Sequence, residues 1–119
     1  MKTLTIILLA FVAIEHFYFL ILEMFFWTKP KGIKAFNIKS EAFAKETKVL
    51  AANQGLYNGF IAAGIIFSII KNDISTALFF TVCVIIAGIY GAYSTKQIKL
   101  FYFQSVPAII TLIIILLSF

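Results

Sequence analysis

Four separate runs of this chain, at about 3–27, 49–70, 74–93 and 98–119, are apolar over the length a helix needs to cross a bilayer. A hydrocarbon layer ~30 Å thick takes ~20 helical residues at 1.5 Å each. Hydrocarbon offers no water to backbone amides, so a chain with such runs must satisfy them inside α-helices. The expectation is an all-α, polytopic membrane protein: a four-transmembrane-helix bundle forming a single membrane domain over 1–119. Only 28–48 remains as an extended polar stretch. A hydrophobic content of 62% lies well outside the soluble range and leaves no room for a separate soluble domain. Lys2 followed by an apolar segment has the look of a signal peptide. However, Glu15 and His16 interrupt it and no small-x-small cleavage site follows, so the first span is expected to stay in the mature protein.

All ten basic residues are Lys. Lys29, Lys31, Lys34, Lys39, Lys45 and Lys48 lie between spans one and two, and Lys96 and Lys99 between spans three and four, while the other side has Lys2 and Lys71. The positive-inside rule then places the basic loop 28–48 in the cytoplasm and both termini on the outer side. The net charge of +5 is topogenic. It calls for no nucleic-acid partner, and its natural contacts are the anionic headgroups of the lipid bilayer. Cys83 stands alone, which excludes an intramolecular disulfide or a cysteine-based metal framework.

Trp27 closes the first run, and Lys29-Pro30-Lys31-Gly32 breaks the helix at the membrane surface. Ser40 is placed to cap the second helix, and Asp73 or Ser75 the third. Pro107 lies inside the fourth run and frees a carbonyl near Phe103. Along the second span Ala52, Gly55, Gly59, Ala62 and Ala63 share one side, a stripe that admits close helix approach. Ala87, Gly88, Gly91 and Ala92 on the third span offer it a partner, and a homo-oligomer contact is the alternative.

Two of the five acids, Glu15 and Glu23, fall inside the first run beside His16. An ionisable group at the centre of a span costs about 2.5–3.5 kcal/mol on insertion scales and marks function by default. His16 and Glu23 project within ~20° of each other, with Glu15 about 80–100° away. Counted at 1.5 Å per residue from Trp27, Val49, Tyr93 and Ile98, the residues Glu23, Asn53, Tyr90 and Gln104 lie ~6–9 Å deep with Gln54 beside them. Tyr57, Asn58, His16 and Glu15 lie ~13–18 Å deep on the same count. Polar residues of all four spans thus share the cytoplasmic half of the bilayer, as a cytoplasm-facing polar pocket requires; a network that only fixes helix register is the other explanation. Glu15, His16 and Glu23 could share a proton. As a metal site they are incomplete, because adjacent residues on one helix chelate poorly together. No nucleophile triad, phosphate loop or zinc-protease motif is present.

The order Glu15-His16, Leu22-Glu23-Met24-Phe25-x-Trp27, Leu50-Ala51-x-Asn53-Gln54-Gly55-Leu56-Tyr57-Asn58-Gly59, Ala87-Gly88-x-Tyr90-Gly91 and Gln104-x-x-Pro107-Ala108 resembles the bacterial four-span membrane family catalogued as domain of unknown function 1304. The resemblance covers nearly the whole chain and implies an inner-membrane protein of about this size, without naming an activity. A looser architectural likeness is to the eicosanoid and glutathione membrane enzymes of the MAPEG superfamily. Asn53 matches their helix-2 Asn, but Val49 and Leu56 stand where their Arg and Glu fall, which argues against glutathione chemistry.

Three functions remain open on these residues. The first is binding or translocation of a small polar solute, ion or proton by Glu15, His16 and Glu23, with Asn53, Gln54, Asn58 and Gln104 as amide ligands. The second is a membrane-embedded enzyme on a lipophilic substrate, with Tyr57 or Tyr90 donating hydrogen bonds. It needs a nucleophile or cofactor the sequence does not show. The third is a structural or accessory subunit.

Overall fold

A computed structural model describing residues 1–119 is all α-helical. Four segments are long and apolar enough to cross a membrane: Thr3–Phe25, Glu41–Lys71, Ile74–Thr95 and Ile98–Leu117. We label Thr3–Phe25 α1, Pro30–Ala35 α2, Glu41–Lys71 α3, Ile74–Thr95 α4, Ile98–Leu100 α5 and Val106–Leu117 α6; a π-helical turn, Phe101–Ser105, joins α5 to α6 within the fourth span. The short α2, inside the basic loop, and the π turn are the two elements absent from the sequence expectation.

The ends of these helices follow from local chemistry. Ser40 Oγ accepts the Phe43 amide at 3.0 Å and starts α3. Asp73 accepts the Ser75 and Thr76 amides and the Thr76 hydroxyl at the start of α4. These hydrogen bonds hold its carboxyl below its ordinary value, the Thr76 hydroxyl contributing most. Three helices stop in the same way, with one residue in the left-handed region. Asn37, Asn72 and Lys96 have φ of 52°, 51° and 57°. After each, the next amide reaches back five residues, from Ile38 to Ile33 O, Asp73 to Ser68 O and Gln97 to Ala92 O. This closure satisfies carbonyls that a helix end leaves open. Asn tolerates that backbone better than Lys does.

Contacts divide the chain into two units, residues 14–62 and residues 1–13 with 63–119. In the first unit, Gly55 and Gly59 on α3 pack against α1. A Cβ on Gly55 would lie 2.7 Å from Met24 Cγ and 3.1 Å from Glu23 Cβ, and one on Gly59 would lie 2.5 Å from Leu20 Cδ1. Two glycines of the small-residue stripe of α3 therefore meet the first span. Gly32 of α2 sits on the last turn of α1, where a Cβ would fall 2.0 Å from Phe26 O. Phe36, just past α2, stacks at 5.3 Å on Trp27 and 6.5 Å on Phe19. Trp27 Nε1 donates to Thr47 Oγ1 at 3.0 Å, tying the end of α1 to the first turns of α3.

In the second unit, α4 packs against the π turn and α6. Gly88 makes this approach possible, since a Cβ there would lie 2.1 Å from Ser105 Oγ and 2.9 Å from Ser105 N. Ser105 Oγ in turn donates to Ile85 O at 2.9 Å. The π turn answers the expectation about Pro107. Its amide pairing runs five residues back, from Val106 to Phe101 O, and the widened turn moves carbonyls off the proline ring. Thr81 and Thr111, buried in this unit, bond within their own helices, to Ala77 O and Pro107 O, while the buried Thr5 Oγ1 has no partner.

Candidate functional site

Burial along α1 recurs with helical spacing at Thr5, Leu9, Val12, His16 and Glu23, so the seven-residue interval puts His16 and Glu23 on the inward stripe. Each is only 2% exposed. Glu15 lies at the margin of that stripe, half-buried, with its Oε1 enclosed and lacking a hydrogen-bond partner. His16 has the Phe19 ring against its edge at 5.4 Å.

On α3 the inward stripe is Ala44, Ala51, Gly55, Gly59 and Ala62, and Asn58 lies along it. The glycines bring α3 close enough for the Asn58 amide Nδ2 to donate to Glu23 Oε1 at 2.5 Å. A carboxyl buried in an apolar surround needs such a donor, because an unsatisfied charge there is far more costly than an unsatisfied amide. The amide takes one lone pair of the Glu23 carboxyl, and the remaining lone pairs can still take a proton or a small cation.

The other residues expected at the site fall in three places. Asn53, Gln54 and Tyr57 are exposed on α3, with Gln54 on the flank next to Asn58. Tyr90 is exposed on α4, at 67%. Gln104 lies half-buried in the π turn, its Cβ close to Gly88. No three His, Cys, Asp or Glu side chains come together as a metal-holding group. Within residues 14–62 the structure thus joins Glu23 to Asn58. Sequence reasoning passed over Thr47 and Phe36, which anchor Trp27. A Thr two turns after a cap and a lone Phe in a basic loop give little signal without the fold.

A family model described as a protein of unknown function, DUF1304, matches residues 10–116. The chain belongs to this family. A relative in Lactococcus lactis subsp. lactis (strain IL1403), "Uncharacterized protein YpaA", is 33% identical over 116 residues, covering 95% of this chain and 97% of the relative. No solved structure matches. With four membrane-length helices, this DUF1304 member is a multi-pass integral membrane protein.

Proposed function

We propose that this DUF1304 protein binds or translocates a small polar solute, ion or proton, with the Glu23–Asn58 pair at the centre of the site. One observation carries the reading: a carboxyl 2% exposed in a membrane-length helix, held by a neutral amide. If fixing helix register were the whole purpose, an amide pair would meet it without the cost of desolvating a charge. A buried carboxyl next to a neutral donor is suited to exchanging a proton or coordinating a monovalent cation. Buried His16, two turns along the same face, and the unpaired Glu15 Oε1 continue the polar path deeper into the span.

The Lys distribution supports opening the site to the cytoplasm, with both termini outside and the protein in the inner membrane. Reporter fusions at Phe119 test the orientation: an enzyme that matures only outside the cytoplasm is expected to be active there. The function is tested in proteoliposomes under imposed proton, Na⁺ and K⁺ gradients. Glu23→Gln, which keeps the hydrogen bond and removes the charge, is expected to abolish flux and any cation-dependent rise in melting temperature. A folded Glu23→Gln protein with wild-type flux and cation response overturns the proposal.

A further inference from the structure

The exposed face of α3 carries two amides just inside the apolar band, among exposed apolar and aromatic side chains. Leu50, Asn53, Tyr57 and Phe60 follow one another at spacings of three and four, a single stripe of the helix, with Gln54 at its flank. Leu50, Tyr57 and Phe60 are 71%, 65% and 57% exposed, and Asn53 and Gln54 are exposed as well. Counting 1.5 Å per residue from the Lys71 end puts Tyr57, Gln54 and Asn53 about 21, 26 and 27 Å into a layer ~30 Å thick. Val49, 73% exposed, and Leu50 carry the apolar surface a further turn toward the basic loop, so the amides lie inside the apolar band.

We propose that this stripe is where a second copy of the chain docks, α3 against α3, with the Asn53 and Gln54 amides bonded across the interface. An amide carries both donors and acceptors, so an identical face meets its needs, whereas acyl chains meet none. All copies insert with the same orientation, and a symmetry axis along the membrane normal sets each residue opposite residues of equal depth. Asn53 and Gln54 of one copy therefore face Asn53 and Gln54 of the next without any adjustment of register. The three-and-four spacing is that of a coiled-coil seam, in which one polar amide fixes register and partner number. Tyr57 and Phe60, whose rings lie 6.0 Å apart, supply the apolar contact one turn deeper. The centre of the stripe lies about 120° around α3 from Asn58, with Gln54 on the flank between them, and the interface does not depend on the reading of Glu23.

The test is cysteine cross-linking in native membranes on a Cys83→Ala background, with Leu50→Cys, Tyr57→Cys and Phe60→Cys on the stripe and Ile86→Cys as an exposed control on α4. The stripe positions are expected to give cross-linked oligomers and Ile86→Cys monomer. In detergent, light scattering should show an oligomer that Asn53→Ala with Gln54→Ala weakens about tenfold. Asn53→Gln should retain it. Equal cross-linking at Ile86, a monomer throughout, or an oligomer indifferent to loss of both amides each overturns the proposal.

Discussion

Gly88 and Gly91 lie one turn apart on α4, and the structure gives their alanine variants opposite signs. Ala is favoured over Gly within a helix by about 1 kcal/mol, so each substitution begins with that gain. At Gly91 the added Cβ meets only Leu100 Cδ1, at 3.8 Å, an ordinary contact. Gly91→Ala should therefore stabilise by about 0.5–1 kcal/mol. At Gly88 the Cβ would sit 2.1 Å from Ser105 Oγ and 2.9 Å from the Ser105 backbone nitrogen. The hydroxyl could rotate away only by giving up its bond to Ile85 O, worth about 1 kcal/mol. The nitrogen cannot move without its helix, and overpacking of this kind costs about 1–3 kcal/mol. The terms sum to a net loss of about 1–3 kcal/mol for Gly88→Ala. Thermal or SDS titration of the protein in mild detergent, followed by circular dichroism, reads both variants. Adding Ser105→Ala to Gly88→Ala should recover part of the loss, since the Oγ clash disappears and the backbone clash stays. If Gly88→Ala and Gly91→Ala shift stability in the same direction, the close approach of α4 to the π turn is wrong.

Other outcomes follow from the helix ends and the Trp27 anchor. Lys96→Gly should stabilise by about 0.5–1 kcal/mol, because the left-handed backbone that ends α4 strains a side chain and suits glycine; a loss in the same titration refutes it. Thr47→Val should cost about 1 kcal/mol by stripping the Trp27 indole of its acceptor, and the chain's one Trp makes its fluorescence a direct reporter; an unchanged spectrum and melting temperature refute the bond. Asp73 gives a pH dependence. Its folded-state value lies below the ordinary 3.8, so its contribution is complete above the unfolded value and is lost as pH falls through the folded one. Melting temperature should therefore drop in acid below about pH 4 more steeply for the wild type than for Asp73→Asn, and parallel profiles would count against the cap.

The presence of four membrane-length apolar helices was legible in the sequence because a bilayer forces every backbone amide to find its partner within the same segment, which makes apolar length a local property. Capping is equally local, and Ser40 and Asp73 act where their spacing from the apolar runs places them. Membership in DUF1304 was legible too, since its motifs are strings of neighbouring residues. Side-chain orientation was not. Periodicity gives the angles between residues on one helix but not the rotation of that helix against its neighbours. Asn53, Gln54 and Asn58 therefore read alike as pocket amides. Their separation is decided by Gly55 and Gly59, which let α3 approach α1 along one line and turn Asn58 toward Glu23, leaving Asn53 and Gln54 on the outside. The π turn before Pro107 and the folding back of α2 onto Phe26 are likewise tertiary decisions. They settle where an atom with nowhere else to go meets another helix, a steric fact that no single stretch of sequence contains.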